Sequence, residues 1–215
     1  MAGESEIRQK VATNAHAPQI RRRPSRRIEI MRRSAHLFLE KGFEITSLVD
    51  IAEANGISKA GLYYHFSSKQ DLLAAIINYG HEILEVEFEK QLADCSTDED
   101  ALRRLIYTYA VIITRRDDAA YANLAVEEMK SLLPADQEQI AERKRAFLGR
   151  IRERLERLAA AGKLRDVDIT AATHTLAGMV LWLPKWYRQT GRLSASEMAN
   201  EITNLAMHAV LPDGS

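Results

Sequence analysis

One short segment concentrates side chains that could bind a charged partner. Residues 56–73 read GISKAGLYYHFSSKQDLL, with two tyrosines, a histidine and two lysines beside small residues. A lysine can donate hydrogen bonds to guanine in the major groove of DNA. Tyrosine, histidine and lysine donors can also bind phosphate oxygens, and such contacts fix the register of a protein on the duplex. The segment therefore predicts a surface that contacts DNA.

The residues around this segment have the spacing of a helix-turn-helix. Ala52 is small enough to let two helices cross closely, and Gly56 can adopt the positive φ of a tight turn. Leu62 supplies the apolar anchor of a second helix, which in this motif lies in the major groove. With Leu62 facing inward, Ala60 and Gly61 leave a low surface from which base edges can be reached.

The stretches LFLEKGF (37–43), TSLVDIAEANGISKAGLYYHF (46–66) and SSKQDLL (67–73) together resemble a known domain. Residues 26–75 are similar to the DNA-binding domain of the tetracycline repressor (TetR) family of regulators. This resemblance implies a dimer that binds a palindromic operator in double-stranded DNA, with carboxy-terminal helices that hold a ligand pocket and the dimer interface. The long basic arm before Arg26 departs from many members of the family, and the basic run RRRPSRR (21–27) lies at its end.

The expected DNA contacts form two groups. The resemblance implies that the bases are faced by Lys59, Ala60, Gly61 and Tyr64, and that phosphates are contacted by Thr46 or Ser47 with Tyr63, His65 and Lys69. Ser58, which begins the second helix, completes the predicted interface. Free backbone N–H groups at the helix starts also suit phosphate. An alternative places Tyr63 and Phe66 in the core and leaves His65 as an ordinary surface histidine, and for Phe66 the core position is preferred.

Charge is distributed unevenly along a chain of 215 residues whose net charge is zero. Residues 1–69 hold 12 Lys and Arg against 7 Asp and Glu, whereas residues 70–215 hold 18 against 23. A basic front and an acidic back indicate a chain that is divided by function. Cys95 is the single cysteine, and there is neither an apolar run long enough for a bilayer nor the pattern of a signal peptide. These features predict a cytoplasmic protein with no membrane partner.

Apolar residues recur at helical spacing along most of the chain, which predicts an all-α fold. The first helix begins at Arg26 and is ended by Gly42, and two short helices follow within residues 47–66. The remaining helices are predicted near 68–92, 98–116, 119–132, 135–161, 168–188 and 194–210, and Pro184 should kink or break the helix that contains it. We expect a flexible basic arm over 1–25, a three-helix DNA-binding domain over 26–72, and a ligand-binding and dimerisation domain over 73–215.

The segment 182–202, WLPKWYRQTGRLSASEMANEI, resembles TetR-type regulators of fatty-acid, aromatic-acid and steroid breakdown, which commonly sense acyl-CoA thioesters. Many of those regulators have Pro or Gly shortly after the Trp-Tyr pair, whereas this chain has RQTG. A thioester needs an apolar slot and cations for its phosphates. The aromatic candidates for the slot are Tyr107, Tyr109, Tyr121, Phe147, Trp182 and Trp186, and each could instead be an ordinary core residue. The basic candidates for the phosphates are Arg115, Arg116, Arg143, Lys144, Arg145 and Arg188, most of which could instead be solvated or paired with nearby acids.

These observations predict a ligand-responsive DNA-binding regulator, a repressor released by a small molecule such as an acyl-CoA thioester. One alternative is a TetR-type repressor that senses a hydrophobic drug, and another is an architectural DNA-binding protein without a sensor. We find no nucleophile–base pattern, no phosphate-binding glycine loop and no metal motif, so we expect no enzyme, no cofactor and no metal. His81 and Glu85 share a helix face, but two ligands do not make a metal site.

Overall fold

The computed structural model describes residues 25–212, apart from the side chains of residues 116 and 117, and every regular element in this range is helical. The α-helices are α1 (Arg26–Lys41), α2 (Leu48–Asn55), α3 (Lys59–His65), α4 (Lys69–Leu92), α5 (Asp98–Ile113), α6 (Arg116–Glu127), α7 (Pro134–Ala160), α8 (Ile169–Leu181), α9 (Leu183–Trp186) and α10 (Ala195–Val210). A short 3-10 helix (Met129–Ser131) connects α6 to α7. The predicted all-α class is confirmed. The basic arm predicted over 1–25 lies outside the described residues except for Ser25.

The first three helices form the predicted helix-turn-helix. Ala52 and Leu62 are buried, and Gly56 ends α2 with φ of 61°, a left-handed conformation that glycine adopts without steric cost. Arg26 and Arg33 of α1 donate to the carbonyl groups of Asn55 and Ala54 at the carboxyl end of α2. Cations at that end also complement the helix dipole. These contacts fix α2, and through its turn α3, against α1.

The helix α4 connects two hydrophobic clusters. The first cluster joins α1, α2 and α3 to the first half of α4 and to α6, with Phe38, Leu62 and Leu124 among its members. The second cluster begins at Phe88 near the end of α4 and includes α5, the second half of α7, α8 and α10. The first cluster extends past residue 72 to Ile77, so the boundary predicted at residues 72 and 73 falls within α4. The division into domains stays a prediction.

Three of the predicted helices end earlier than expected, and one of them is α6, which ends at Glu127 rather than near residue 132. The break after α5 lies at Thr114 and Arg115 rather than within the charged residues that follow. The Thr114 hydroxyl donates to the carbonyl groups of Ala110 and Val111, and such local side-chain bonds compete with helix continuation. The helix predicted over 168–188 is interrupted at Trp182, and only the short α9 follows. Pro184 thus breaks the helix as expected.

The sequence pattern at the start of α4 offers two overlapping capping boxes, Ser67 with Gln70 and Ser68 with Asp71, and neither forms in full. Ser68 accepts a hydrogen bond from the Asp71 N–H at 2.9 Å, whereas the Asp71 carboxylate accepts from the Ser67 N–H at 2.7 Å. Both the N–H and the hydroxyl of Ser67 donate to the Asp71 carboxylate, so Ser67 is paired with Asp71 rather than with Gln70. This arrangement fixes the turn between α3 and α4.

Candidate DNA interface and effector cavity

The surface of α3 presents the residues that the sequence predicted to face bases. Tyr64 is 86% exposed, and Lys59 and Ala60 are also exposed. Gly61 is half-buried beside the Ser58 hydroxyl, which accepts a hydrogen bond from the Gly61 N–H at 3.0 Å and so caps α3. Because Leu62 anchors the opposite face in the core, α3 can approach DNA with this surface.

Tyr63 and His65 lie beside the α3 surface. Tyr63 is 47% exposed, with the Lys59 ammonium 5.9 Å from its ring centre, so it is not a core residue. His65 is half-buried, and its ring meets that of Tyr64 edge-on at 5.1 Å. Phe66 is buried, and Arg27 lies over its ring, so its preferred core position is confirmed. Tyr63 is thus exposed and His65 partly exposed beside the predicted base-facing surface of α3.

The start of α2 is held by a complete capping box. The Ser47 hydroxyl accepts from the Asp50 N–H at 3.1 Å, and the Asp50 carboxylate accepts from the Ser47 N–H at 2.8 Å. The ammonium of Lys41, followed by the Ser47 hydroxyl and N–H, holds the pKa of Asp50 well below its usual range. Both Ser47 donors are therefore used internally. The first N–H groups of the helix, those of Leu48 and Val49, have no partner within α2 and are the donors left for a phosphate.

Thr46 and Lys69 have partners that the sequence did not predict. Thr46 is buried, and its hydroxyl donates to the Gly42 carbonyl at 2.7 Å. The Lys69 ammonium donates to the carbonyl groups of Phe43, Glu44 and Thr46 at 2.7, 3.1 and 3.1 Å. In this structure the two side chains stabilise the turn between α1 and α2, whereas we expected them to contact phosphate. The sequence gives no signal for partners that lie 23 to 26 residues away.

Two exposed apolar side chains lie beside this surface and were not predicted from the sequence. Ile45 is 81% exposed in the turn before α2, and Val49 is half exposed in the first turn of α2. Apolar side chains at a DNA interface can contact the methyl group of thymine. Their position next to Ser47 is the signal that could have identified them.

A cavity of about 190 Å³ lies among α4, α5, α6 and α7, with Leu181 of α8 at its edge. Gly80 makes the packing around it possible, because a Cβ atom at this position would lie 2.7 Å from Cβ of Tyr121. Most of the remaining lining is apolar, including Leu84, Ile112 and Ile113. Because three residues separate the end of α3 from the start of α4, one wall of the cavity is connected by a short turn to the helix that carries the predicted base contacts.

The cavity contains three of the six aromatic residues that the sequence proposed for a ligand. Tyr109, Tyr121 and Phe147 line it. Tyr107 instead packs against the second hydrophobic cluster. Trp182 and Trp186 are 63% and 47% exposed and lie outside the cavity. These three differ from expectation because helical periodicity does not tell which of several apolar faces borders an internal space.

Charged and polar groups occupy one part of the cavity wall. The guanidinium of Arg143 donates to both carboxylate oxygens of Glu85 at 2.9 Å. The Lys144 ammonium contacts the Ala125 carbonyl at 3.3 Å, and burial lowers its pKa. Burial, with the nearby charges of Arg143 and Lys144, lowers the pKa of His81 to about 4. The imidazole of His81 is therefore neutral near pH 7.

Residues 25–212 offer neither a metal site nor a membrane-spanning helix. No group of three His, Cys, Asp or Glu side chains in this part of the chain is arranged to hold a metal ion. The helices described here include none that is both long enough and apolar enough to cross a bilayer.

Comparisons with known proteins agree with this arrangement. The family described as "Bacterial regulatory proteins, tetR family" matches residues 30–76, and "Tetracyclin repressor-like, C-terminal domain" matches residues 95–210. The HTH-type transcriptional repressor KstR2 of Rhodococcus jostii is 26% identical over 186 residues, which cover 85% of this chain and 89% of that protein.

Solved structures extend the likeness to three dimensions. The crystal structure of AibR in complex with isovaleryl coenzyme A and operator DNA covers 84% of this chain and 97% of AibR, with a TM-score of 0.76 and 29% identity. The ketosteroid transcriptional regulator KstR2 of Mycobacterium tuberculosis covers 89% of this chain and 98% of that protein, with a TM-score of 0.81. Its identity of 21% shows the fold alone. Since the C-terminal family match alone spans more than half of the residues, this chain belongs to the tetR family of DNA-binding transcriptional regulators.

Proposed function

We propose that the protein is a homodimeric repressor that binds a palindromic operator and is released from it by an acyl-CoA thioester. The observation that carries this proposal is the position of α4. This helix follows the recognition helix α3 after a three-residue turn and forms one wall of the cavity. A ligand that alters the packing of α4 would also alter the placement of α3.

We assign the DNA contacts from the exposure of each side chain and from the hydrogen-bond donors that have no partner among the described residues. Lys59 and Tyr64 reach base edges across the low surface of Ala60 and Gly61. Ser58, Tyr63, His65 and the start of α2 at Ser47 contact phosphates. Thr46 and Lys69 support the interface by holding the turn before α2. Phosphate contacts position the protein, whereas base contacts give the sequence preference.

The dimer interface is proposed for the outer faces of α8 and α10. Among the apolar residues on these two helices, Leu176 and Val180 are buried within the protomer, whereas Leu205 is exposed. The opposite face of α8 exposes Gly178, Leu181 and Trp182, and α10 exposes Leu205. No atom lies within 4 Å of the Cβ position of Gly178, which leaves room for a partner helix. Two such helices from each protomer would pack as a four-helix bundle.

The effector would release the protein from DNA because it binds two conformations of the dimer with different affinities. Two recognition helices must lie about 34–36 Å apart to enter successive major grooves on one face of the duplex. An effector that binds more tightly to a conformation with another separation shifts the dimer towards that conformation. By linkage, DNA must then weaken effector binding by the same factor.

The size of the cavity supports a thioester over a larger drug. Pockets for drug-sized molecules measure about 300–1,000 Å³. The space of about 190 Å³ suits an acyl group whose CoA portion remains outside. The similarity to AibR, which was crystallised with isovaleryl coenzyme A, supports the same class of effector. An architectural protein without a sensor would have no use for such a cavity, and this alternative is disfavoured.

A thermal-shift screen tests the effector class. The panel contains isovaleryl-CoA, hexanoyl-CoA and benzoyl-CoA, each paired with its free acid and with CoA alone. A ligand at about 100 times its Kd stabilises the native protein by about 2.7 kcal/mol, which raises the midpoint by a measurable amount. We expect a shift with a thioester that exceeds the shifts with its acid and with CoA. Equal shifts with a thioester and CoA alone would contradict an acyl-specific site.

A further inference from the structure

The cavity has an aromatic end that is built by three helices. Phe88 of α4 and Phe147 of α7 are stacked with ring centres 5.5 Å apart. Tyr109 of α5 meets Phe147 edge-on at 4.7 Å. Phe88 and Tyr109 are buried, and all three side chains line the cavity. This end offers a rigid apolar surface for the body of a ligand.

Elsewhere in the wall lies a cation without a carboxylate partner. Arg143 is neutralised by Glu85, but no carboxylate among the described residues lies within 4.0 Å of the Lys144 ammonium. Within the described part of the chain, the Lys144 ammonium donates one hydrogen bond, to the Ala125 carbonyl. A half-buried ammonium that makes one hydrogen bond still has N–H groups that could donate to a ligand oxygen.

His81 supplies a second unused polar group in the cavity wall. Its Nε2 atom is shielded from solvent and has no hydrogen-bond partner in the described part of the chain. A buried polar atom without a partner carries a desolvation cost that a ligand can relieve. Since the ring is neutral, it donates from Nε2 when that nitrogen bears the proton. Lys144 and His81 therefore present two donors beside an apolar cavity.

We infer that Lys144 and His81 together bind one oxygen of the effector, the carbonyl oxygen of its acyl group, while the aromatic end holds the acyl tail. His81 and Phe88 are separated by seven residues of α4, which corresponds to about 10 Å along the helix axis. The tail is thus an acyl or aryl group no longer than that span. The inference rests on the proposed function, because it treats the cavity as the effector site.

A ligand that lacks the oxygen gives the sharpest test. Isovaleryl-CoA, hexanoyl-CoA and benzoyl-CoA are each compared by calorimetry with the thioether in which CH₂ replaces the carbonyl group. We expect the wild-type protein to bind the thioester about tenfold or more tightly than its thioether, as for the loss of a hydrogen bond to a charged donor. The double variant K144M/H81L should bind both ligands with equal affinity.

Controls separate the oxygen site from other roles of the lysine. The matched variant Arg145→Met removes the exposed neighbouring cation, which pairs with Glu138, and should keep the full preference for the thioester. A Lys144→Met protein in which both ligands weaken equally would show that Lys144 binds a CoA phosphate, and would overturn the inference. So would equal binding of thioester and thioether by the wild-type protein.

The free acids distinguish this inference from the proposed function. If the thioesters fail to bind but an acid binds in a Lys144-dependent manner, the acyl-CoA function is wrong and the oxygen site stands with a carboxylate. If thioesters bind without any effect of the two substitutions, the function stands and the oxygen site is wrong. If neither thioesters nor acids bind, both are wrong.

Discussion

At the scale of single residues, the two sites depend on which polar groups are left without internal partners. Lys59 and Tyr64 are exposed on α3, whereas Lys69 is bound to three carbonyl groups. The types and spacing of these residues predicted the DNA interface. They could not separate Lys59 from Lys69, because the partners of Lys69 come from a distant part of the chain. For the same reason the sequence named Lys144 only as one of six basic residues that could bind CoA phosphates, since spacing does not show which of the six have a carboxylate partner.

Lys59 gives the first prediction. Replacing Lys59 by Met should weaken binding to a selected palindromic duplex by about 1–3 kcal/mol and relax the preference for one base pair in each half-site. The measurement is fluorescence anisotropy with the selected duplex and with a scrambled duplex. Lys90→Met, near the far end of α4, should leave both affinities unchanged. Equal weakening on both duplexes would assign Lys59 to phosphate instead of bases.

His81 makes the stability of the protein depend on pH. Its pKa is about 4 in the folded protein, below the ordinary histidine value of 6.5, because burial and the cations of Arg143 and Lys144 disfavour the imidazolium. Glu85 on the same helix and Asp118 on α6 also line this cavity. Between these two pH values the unfolded state binds more protons than the folded state, so the free energy of unfolding must fall as the pH falls.

We expect His81 to remove up to about 3 kcal/mol from the free energy of unfolding between pH 7 and pH 4. The measurement is urea unfolding of the wild type and of His81→Leu at several pH values across this range. The variant should lose less stability on acidification than the wild type does. Parallel pH profiles for the two proteins would refute the assignment.

At the scale of helices, α4 links the recognition helix to the cavity, and its contact with α6 is unusually close. Helical periodicity predicted α4 and α7 nearly to their observed ends, and the capping box of α2 followed from Ser47 and Asp50. The end of α5 could not be predicted, because the Thr114 hydroxyl bonds to the preceding carbonyl groups. Nor could the sequence indicate that Gly80, within a regular helix, lies directly against Tyr121.

Glycine-to-alanine substitutions test this close contact. Gly80→Ala should lower the free energy of unfolding by about 1–3 kcal/mol, because the new methyl group overlaps Tyr121. Gly149→Ala is the matched control, since Gly149 lies within α7 and no atom lies within 4 Å of its Cβ position. That change should raise stability by about 0.5–1 kcal/mol. Urea unfolding measures both, and equal effects would contradict the tight α4–α6 contact.

At the scale of the whole molecule, the DNA surface and the outer faces of α8 and α10 must act together in the proposed dimer. The apolar pattern of these two helices predicted that they pack, but the residues it offered to a partner are largely buried within the protomer. The apolar residues that recur most regularly along these helices pack in the protomer's own core. Only the small and exposed residues remain available for contact with a second protomer. A single chain's sequence cannot separate these two uses of an apolar face.

Leu205 tests the proposed dimer. Leu205 is 61% exposed on α10, and replacing it by Glu should place a charge in the interface and shift the protein towards monomers. Light scattering coupled to size exclusion gives the mass. Val86→Glu, a change of another exposed apolar residue on α4, should leave the dimer intact. If both variants remain dimeric, the interface lies elsewhere.

The most direct test of the central claim is a titration of the protein–DNA complex with an effector. A labelled duplex, selected for binding from a random library, is held in complex while the thioester that gives the largest thermal shift is added. We predict that anisotropy falls to the value of free DNA, that CoA alone has no effect, and that Gly80→Ala changes the concentration required. A thioester that binds the protein but leaves the complex intact would contradict the claim that the cavity controls the recognition helices.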